Sequence, residues 1–199
     1  MADLVPPVRS EREKRTQCVV LRDDALMTTW IAFLRAVNLG ARNKVPMAVL
    51  RERLADAGLP GARTHLQSGN VLLRSDVEIA PIIRDVLRTH FDLDEPVMVR
   101  SRDRLREILA ANPFPEAAVE RPILMRVVFL TEHPSPDRVK RLEEHDDIRV
   151  RDREVYIDYR TGVHGNPVNA AMVARRLGLH GTERNWATLT KIDEMAGAV

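Results

Sequence analysis

Apolar positions from Trp30 to Val37 alternate, Ile31, Phe33 and Val37 against Ala32, Leu34 and Ala36, which is the period of a β-strand. Beyond Pro46 the spacing changes: Met47, Leu50, Leu54 and Ala57 recur at helical intervals until Gly58 stops the run. The stretch ARTHLQSGNVLLRS then predicts two short strands around a turn at Ser68-Gly69. Ile79, Ile82, Ile83, Val86 and Leu87 form an amphipathic stripe with Pro81 in its first turn, and a strand follows from Pro96 to Arg100. The order is β-α-β-β-α-β, the ferredoxin-like split βαβ arrangement.

The second half repeats the order without repeating the sequence. A connector helix over Arg102 to Ala111 directs Leu105, Ile108 and Leu109 inward and ends at Asn112-Pro113. A strand from Ile123 to Leu130 precedes a helix capped by Ser135-Pro136, with Val139 and Leu142 on its buried face. Ile148 to Arg151 and Val155 to Tyr159 read as a hairpin around Asp152-Arg153-Glu154. Asn166-Pro167 opens a helix that runs to Leu177 and stops at Gly178, and GTERNWATLTKIDEMA gives an extended piece and a last helix carrying Leu189, Ile192 and Met195. The fold class expected is α+β, two ferredoxin-like plaits packed side by side behind a disordered N-terminal tail. Residues 1–26 carry five positive and five negative side chains with little amphipathic period, so they are expected to be disordered or a mis-annotated extension, with Met27 the start of the fold. Residues 27–100 form the first subdomain, and 101–199 the connector helix, second subdomain and C-terminal helix.

Composition narrows the function classes. With 44% apolar residues among 199 and no long uncharged apolar run or signal-peptide core, a cytoplasmic location and no membrane partner are expected. Cys18 stands alone, so an intrachain disulfide is excluded, and the six histidines are scattered, so no metal site is expected. The net charge of +2 does not mark a protein saturated with DNA. A phosphate-binding P-loop and a G-x-S-x-G nucleophile elbow are both missing, and nothing calls for a cofactor. Base stacking on the sheet, the RNA-recognition use of this plait, needs aromatics on the central strands. Here Trp30 and Phe33 fall on opposite faces of the first strand, and NVLLRS has no aromatic residue.

Three polar clusters remain. Arg35, Asn38, Gly40, Asn43 and Lys44 occupy a strand exit before a helix, where free backbone amides and a lysine suit an anion. The same residues also suit a loop that only turns the chain. Gln67, Ser68, Gly69 and Asn70 place amides at a hairpin tip, where local backbone bonding needs no ligand. Arg184, Asn185, Trp186, Thr188 and Lys191 combine charge with one indole, fit either to pack between the plaits or to stack on a planar ligand.

The segments FLRAVNLGARNKVPMAVLRERLADAG, THLQSGNVLLRS, NPF and TERNWATLTKIDEMA together resemble the domain-of-unknown-function family 1697. Its pattern is R-[GA]-[IV]-N-[VL]-G, then N-K and a helix, then Q-S-G-N-V, and T-R-N-W with a following T and K. The match runs from Met27 to about Ala196; Ala41 stands where a second glycine is common, and Glu183 interrupts T-R-N-W. The resemblance implies two ferredoxin-like halves in a cytosolic bacterial protein, and no established activity. By position it singles out Arg35, Asn38, Gly40, Asn43, Lys44, Gln67, Ser68, Gly69, Asn70, Asn112, Arg184, Asn185, Trp186 and Lys191.

The leading expectation is binding of an anionic, phosphate-bearing small molecule or nucleic-acid end in a cleft between the plaits. Arg35, Lys44, Arg184 and Lys191 supply charge, Gln67, Asn70 and Asn185 directed hydrogen bonds, and Trp186 a stacking face; Asn38, Asn43 and Ser68 complete the candidate set. A structural alternative buries Trp186, Asn185 and Gln67 as contacts between the halves in a protein-interaction module. An enzyme acting on a phosphorylated or nucleotide substrate would draw on Ser68, His65 and Glu183.

Overall fold

Two four-stranded antiparallel sheets, each with the strand order of a ferredoxin-like plait, carry the chain. The structure, a computed structural model, describes residues 27–40, 43–160, 162–163 and 165–199; the expectations for residues 1–26 and Ala41 lie outside them. The first plait comprises β1 (Thr28–Phe33), α1 (Met47–Asp56), β2 (Arg63–His65), β3 (Asn70–Ser75), α2 (Ile79–Phe91) and β4 (Met98–Ser101), with sheet order β2-β3-β1-β4. Two helices, α3 (Arg102–Ala110) and α4 (Pro115–Glu120), lead to the second. That plait comprises β5 (Met125–Leu130), α5 (Pro136–Leu142), β6 (Ile148–Arg151), β7 (Glu154–Asp158), α6 (Ala170–Leu177) and β8 (Gly181–Asn185), with order β6-β7-β5-β8. Helix α7 (Trp186–Ala196) closes the chain.

Several boundaries differ from the hydrophobic pattern for local reasons. Strand β1 ends at Phe33 rather than Val37, because Ala36 (φ 57°) and Asn38 (φ 53°) take left-handed conformations that no strand continues. Helix α6 starts at Ala170 rather than at Asn166-Pro167. Asn166 instead makes a local turn, accepting from the Val168 amide, and Asn169 caps the helix by accepting from the Met172 amide at 2.9 Å. Helix α4 is not legible in the sequence, since six residues are too few to show a period.

A ferredoxin-like sheet has helices on one face only, so its other face must be covered or hydrated. Here Ala32, Leu34, Val71 and Leu73 pack under α1 and α2, while Val128, Leu130, Val155 and Ile157 pack under α5 and α6. The remaining faces meet each other: Ile31, Phe33, Leu72 and Met98 of one sheet join Met125, Val127, Phe129 and Tyr156 of the other in one buried layer. Leu105, Ile108, Ala117, Leu189 and Ile192, from α3, α4 and α7, fill out that layer. Each of the larger aliphatic and phenylalanine side chains among them contributes roughly 1.5–3 kcal/mol of hydrophobic free energy. The face on which an RNA-recognition plait stacks bases is thus inaccessible: Phe33 and Phe129 are fully buried.

Candidate functional site

Strand register brings Asn70 and Arg184, from two of the polar clusters, to one junction. Cross-strand partners share a sheet face, so Asn70, opposite Phe33, and Arg184, opposite Val127, both point into the layer between the sheets. There the Arg184 Nε donates to Asn70 Oδ1, and its other nitrogens donate to the carbonyls of Leu34 (2.8 Å), Ser68 (2.9 Å), Gly69 (3.1 Å) and Glu183 (2.7 Å) and to Thr182 Oγ1 (2.8 Å). Thr182 in turn donates to the Leu34 carbonyl. Arg184 is 6% exposed, and burial pulls its pKa down to about 10, only partly offset by the nearby Glu183 charge. It stays charged at neutral pH, stabilised by neutral acceptors and by the Phe33 ring 5.6 Å below.

The loop between β1 and α1 is tied to the hairpin tip by Asn38. Its Nδ2 donates to the Val45 and Gln67 carbonyls at 3.0 and 2.8 Å, and its Oδ1 accepts from the Val45 amide at 2.9 Å. Asn43 Nδ2 donates to the Ala36 carbonyl. At the tip itself only glycine fits position 69: φ is +76°, and a Cβ would lie 2.6 Å from Val37 Cγ2. Asn70 Nδ2 holds the turn through the His65 carbonyl (2.7 Å) and Ser68 Oγ.

The remaining candidates divide. Arg35 is ion-paired with Glu95, half-buried. Asn185 caps α7 by accepting from the Thr188 amide, and Trp186, half-buried, packs against the central layer. Lys191 pairs with Glu194 on the surface at 2.8 Å. Asn112 makes a local turn with Phe114. Gln67 is exposed rather than buried between the halves. Of the residues the enzyme reading needs, His65 and Ser68 sit at the hairpin, whereas Glu183 lies on the opposite face of β8 from Arg184, engaged by Arg126 (2.9 Å) and the Tyr159 hydroxyl (2.7 Å). They form no catalytic constellation.

Lys44 and Gln67 are left with their polar heads at the surface, and they share a groove of about 720 Å³ with Asn38, Pro46, Met47, Ala48 and Arg51. This groove ends at the start of α1, where Pro46 provides no side-chain cap and the first turn has no acidic residue. Nothing in the sequence singles out Arg51; its place one turn beyond Met47 on α1 is what brings it to the groove, where it also donates to Thr64 Oγ1 at 2.6 Å. No carboxylate lines the groove among the described residues. Among the same residues no cluster of His, Cys, Asp or Glu could hold a metal ion, and no helix is long and apolar enough to cross a membrane.

One family profile, described as a protein of unknown function (DUF1697), matches residues 27–156. No match was found among curated proteins. Among solved structures, a conserved bacterial protein from Streptococcus pneumoniae is similar at 22% identity and a TM-score of 0.64, over 86% of this chain and 99% of that one. The likeness shows the fold.

Proposed function

For a chain that belongs to the DUF1697 family of proteins of unknown function, we propose binding of a phosphate-bearing anion in the groove that Lys44, Arg51 and Gln67 line. One observation carries this reading: two cations and the Gln67 amide meet at an uncapped helix start with no carboxylate among them. A phosphate there gains charge-assisted hydrogen bonds from Lys44 and Arg51, a directed amide contact from Gln67, and the field of α1. The groove is open enough for a sugar phosphate, a nucleotide or the phosphorylated end of a nucleic acid. A thermal-shift screen of those three classes, with their dephosphorylated counterparts, tests the proposal. At ~100 Kd of ligand the native state gains about 2.7 kcal/mol, which raises Tm by several degrees. A shift confined to the phosphorylated compounds supports the reading, and a screen without any shift overturns it.

A second reading is favoured by the Arg184 network. We infer that Arg184, Asn70, Asn38 and Asn43 serve as contacts that fix the plaits and the loop, because each side chain already bonds to a partner inside the protein. The two readings divide the motif residues between them. The division of the chain into subdomains 27–100 and 101–199 belongs to the same proposal, with the Arg184 junction joining them.

A further inference from the structure

The layer between the sheets has an approximate internal two-fold symmetry that is closed at one end and open at the other. Arg100, opposite Ile31 in β4, corresponds to Arg184, opposite Val127 in β8; Glu154, opposite Phe129, corresponds to Asn70, opposite Phe33. Leu34 bonds to the Gly69 carbonyl as Leu130 bonds to the Arg153 carbonyl, so Arg153 is the counterpart of Gly69. At the Gly69 end, Val37 and Leu34 fill the space. The Arg153 end holds instead a cleft of about 320 Å³, at the lower limit of small-ligand sites.

Its walls include Trp30, Ile79, Val99 and Leu130, with polar groups from Thr131, Arg153 and Arg100, the last already paired with Glu154. The acids around Arg153 are engaged elsewhere. Asp152 pairs with Arg104 (2.6 Å) and His133 (2.8 Å), and Glu154 with Arg100 (2.7 Å) and Arg104 (2.8 Å). Glu78, which also lines the cleft, is exposed and makes no ion pair with Arg153. The half-buried Arg153 guanidinium has no hydrogen-bond or ion-pair partner among the described residues, and it is the charge in the cleft left for an anion to meet. We infer that this cleft is a second binding site, separate from the Lys44 groove, for a small amphipathic acid: an apolar ring or short chain between Trp30 and Leu130, and an anionic head on Arg153.

Trp30 provides the readout, since Trp186 is the other tryptophan of the two in the chain. In the full-length Trp186→Phe chain, phenyl phosphate, benzoate and hexanoate are titrated while Trp30 emission is followed, with inorganic phosphate and benzyl alcohol as controls. Should that variant fail to fold, calorimetry on the unmodified chain measures the same binding. Saturable binding of at least one amphipathic acid is expected, with affinity about tenfold or more weaker in Arg153→Gln and unchanged in Lys44→Ala. Arg153 lies in a two-residue turn, so circular dichroism of the glutamine variant is expected to be native. No saturable binding up to about 10 mM overturns the inference. So does affinity indifferent to Arg153→Gln, equal binding of benzyl alcohol, or loss of binding on Lys44→Ala.

Discussion

The Phe33 ring stacks on that of Phe129, centroids 4.1 Å apart and planes 21° from parallel. Each ring is covered by an arginine from the opposite sheet: Arg184 lies 5.6 Å over Phe33 and Arg100 lies 5.7 Å over Phe129. The stacked pair adds about 0.5–1.5 kcal/mol beyond area burial. The arginines fix which way round the sheets meet, because each needs acceptors that only the other sheet presents in that register.

The two arginines are not equally provided for. Arg100 has Glu154, whereas Arg184 depends on Asn70, Thr182 and main-chain carbonyls. Replacing Arg184 by Met leaves the carbonyls of Leu34, Ser68 and Gly69 buried without that donor. A loss of about 1–3 kcal/mol is expected, the range for buried acceptors that lose a donor, and with it a fall in Tm of roughly 5 °C. Calorimetric melting checks this; a Tm within a degree or two of the parent would show that the network is not a keystone.

Ala36 sits at φ 57°, which costs an L-residue with a Cβ roughly 1–2 kcal/mol. The resembled pattern admits glycine or alanine at this position, and the left-handed backbone is the physical reason. Ala36→Gly is expected to raise stability by up to about 1 kcal/mol after glycine's larger unfolded-state entropy is deducted. Gly69→Ala is expected to act oppositely, by about 1–3 kcal/mol, through strain and contact with Val37. Urea unfolding of the two variants reads both signs.

His65 is expected to titrate below its ordinary value near 6.5, because burial disfavours the imidazolium and the Lys191 charge adds to that. The unfolded chain therefore takes up this proton at higher pH than the folded one. Stability associated with His65 is present above pH 6.5 and is lost as pH falls from there through the folded-state pKa. Lys191→Gln should move the His65 resonance midpoint part of the way back towards 6.5 in an NMR titration, with burial, the larger cause, still in place. An unmoved midpoint would mean that the Lys191 charge does not act on His65.

Much of the architecture is readable because each element carries its own period and its own stop. Gly58 and Gly178 end helices at positive φ, and Ser135-Pro136 opens α5 as the sequence indicates. What is not readable is what one sheet offers the other. Arg100 alternates with Val99 along β4 and so shares the buried face of Met98, but a charge on a strand ordinarily marks the solvent side. Only the register of two separate sheets shows Glu154 waiting opposite it. The motif asparagines are readable as loop residues, yet their saturation by internal carbonyls depends on contacts over 29 residues, as between Asn38 and Gln67. Arg51 and Arg153 carry no local signal of a site, since an exposed-looking arginine on a helix or in a turn is ordinary.

The measurement that bears most directly on the proposed division of the motif is a calorimetric titration of the best phosphorylated compound from the thermal-shift screen. It is made into the parent chain and into the Lys44→Ala/Arg51→Ala double variant, whose exposed substitutions leave the buried network untouched. The predicted result is a loss of affinity of about a hundredfold or more, from two charge-assisted contacts worth roughly 1.5–3 kcal/mol each, at an unchanged Tm of the free protein. Equal affinity in the two chains would contradict it.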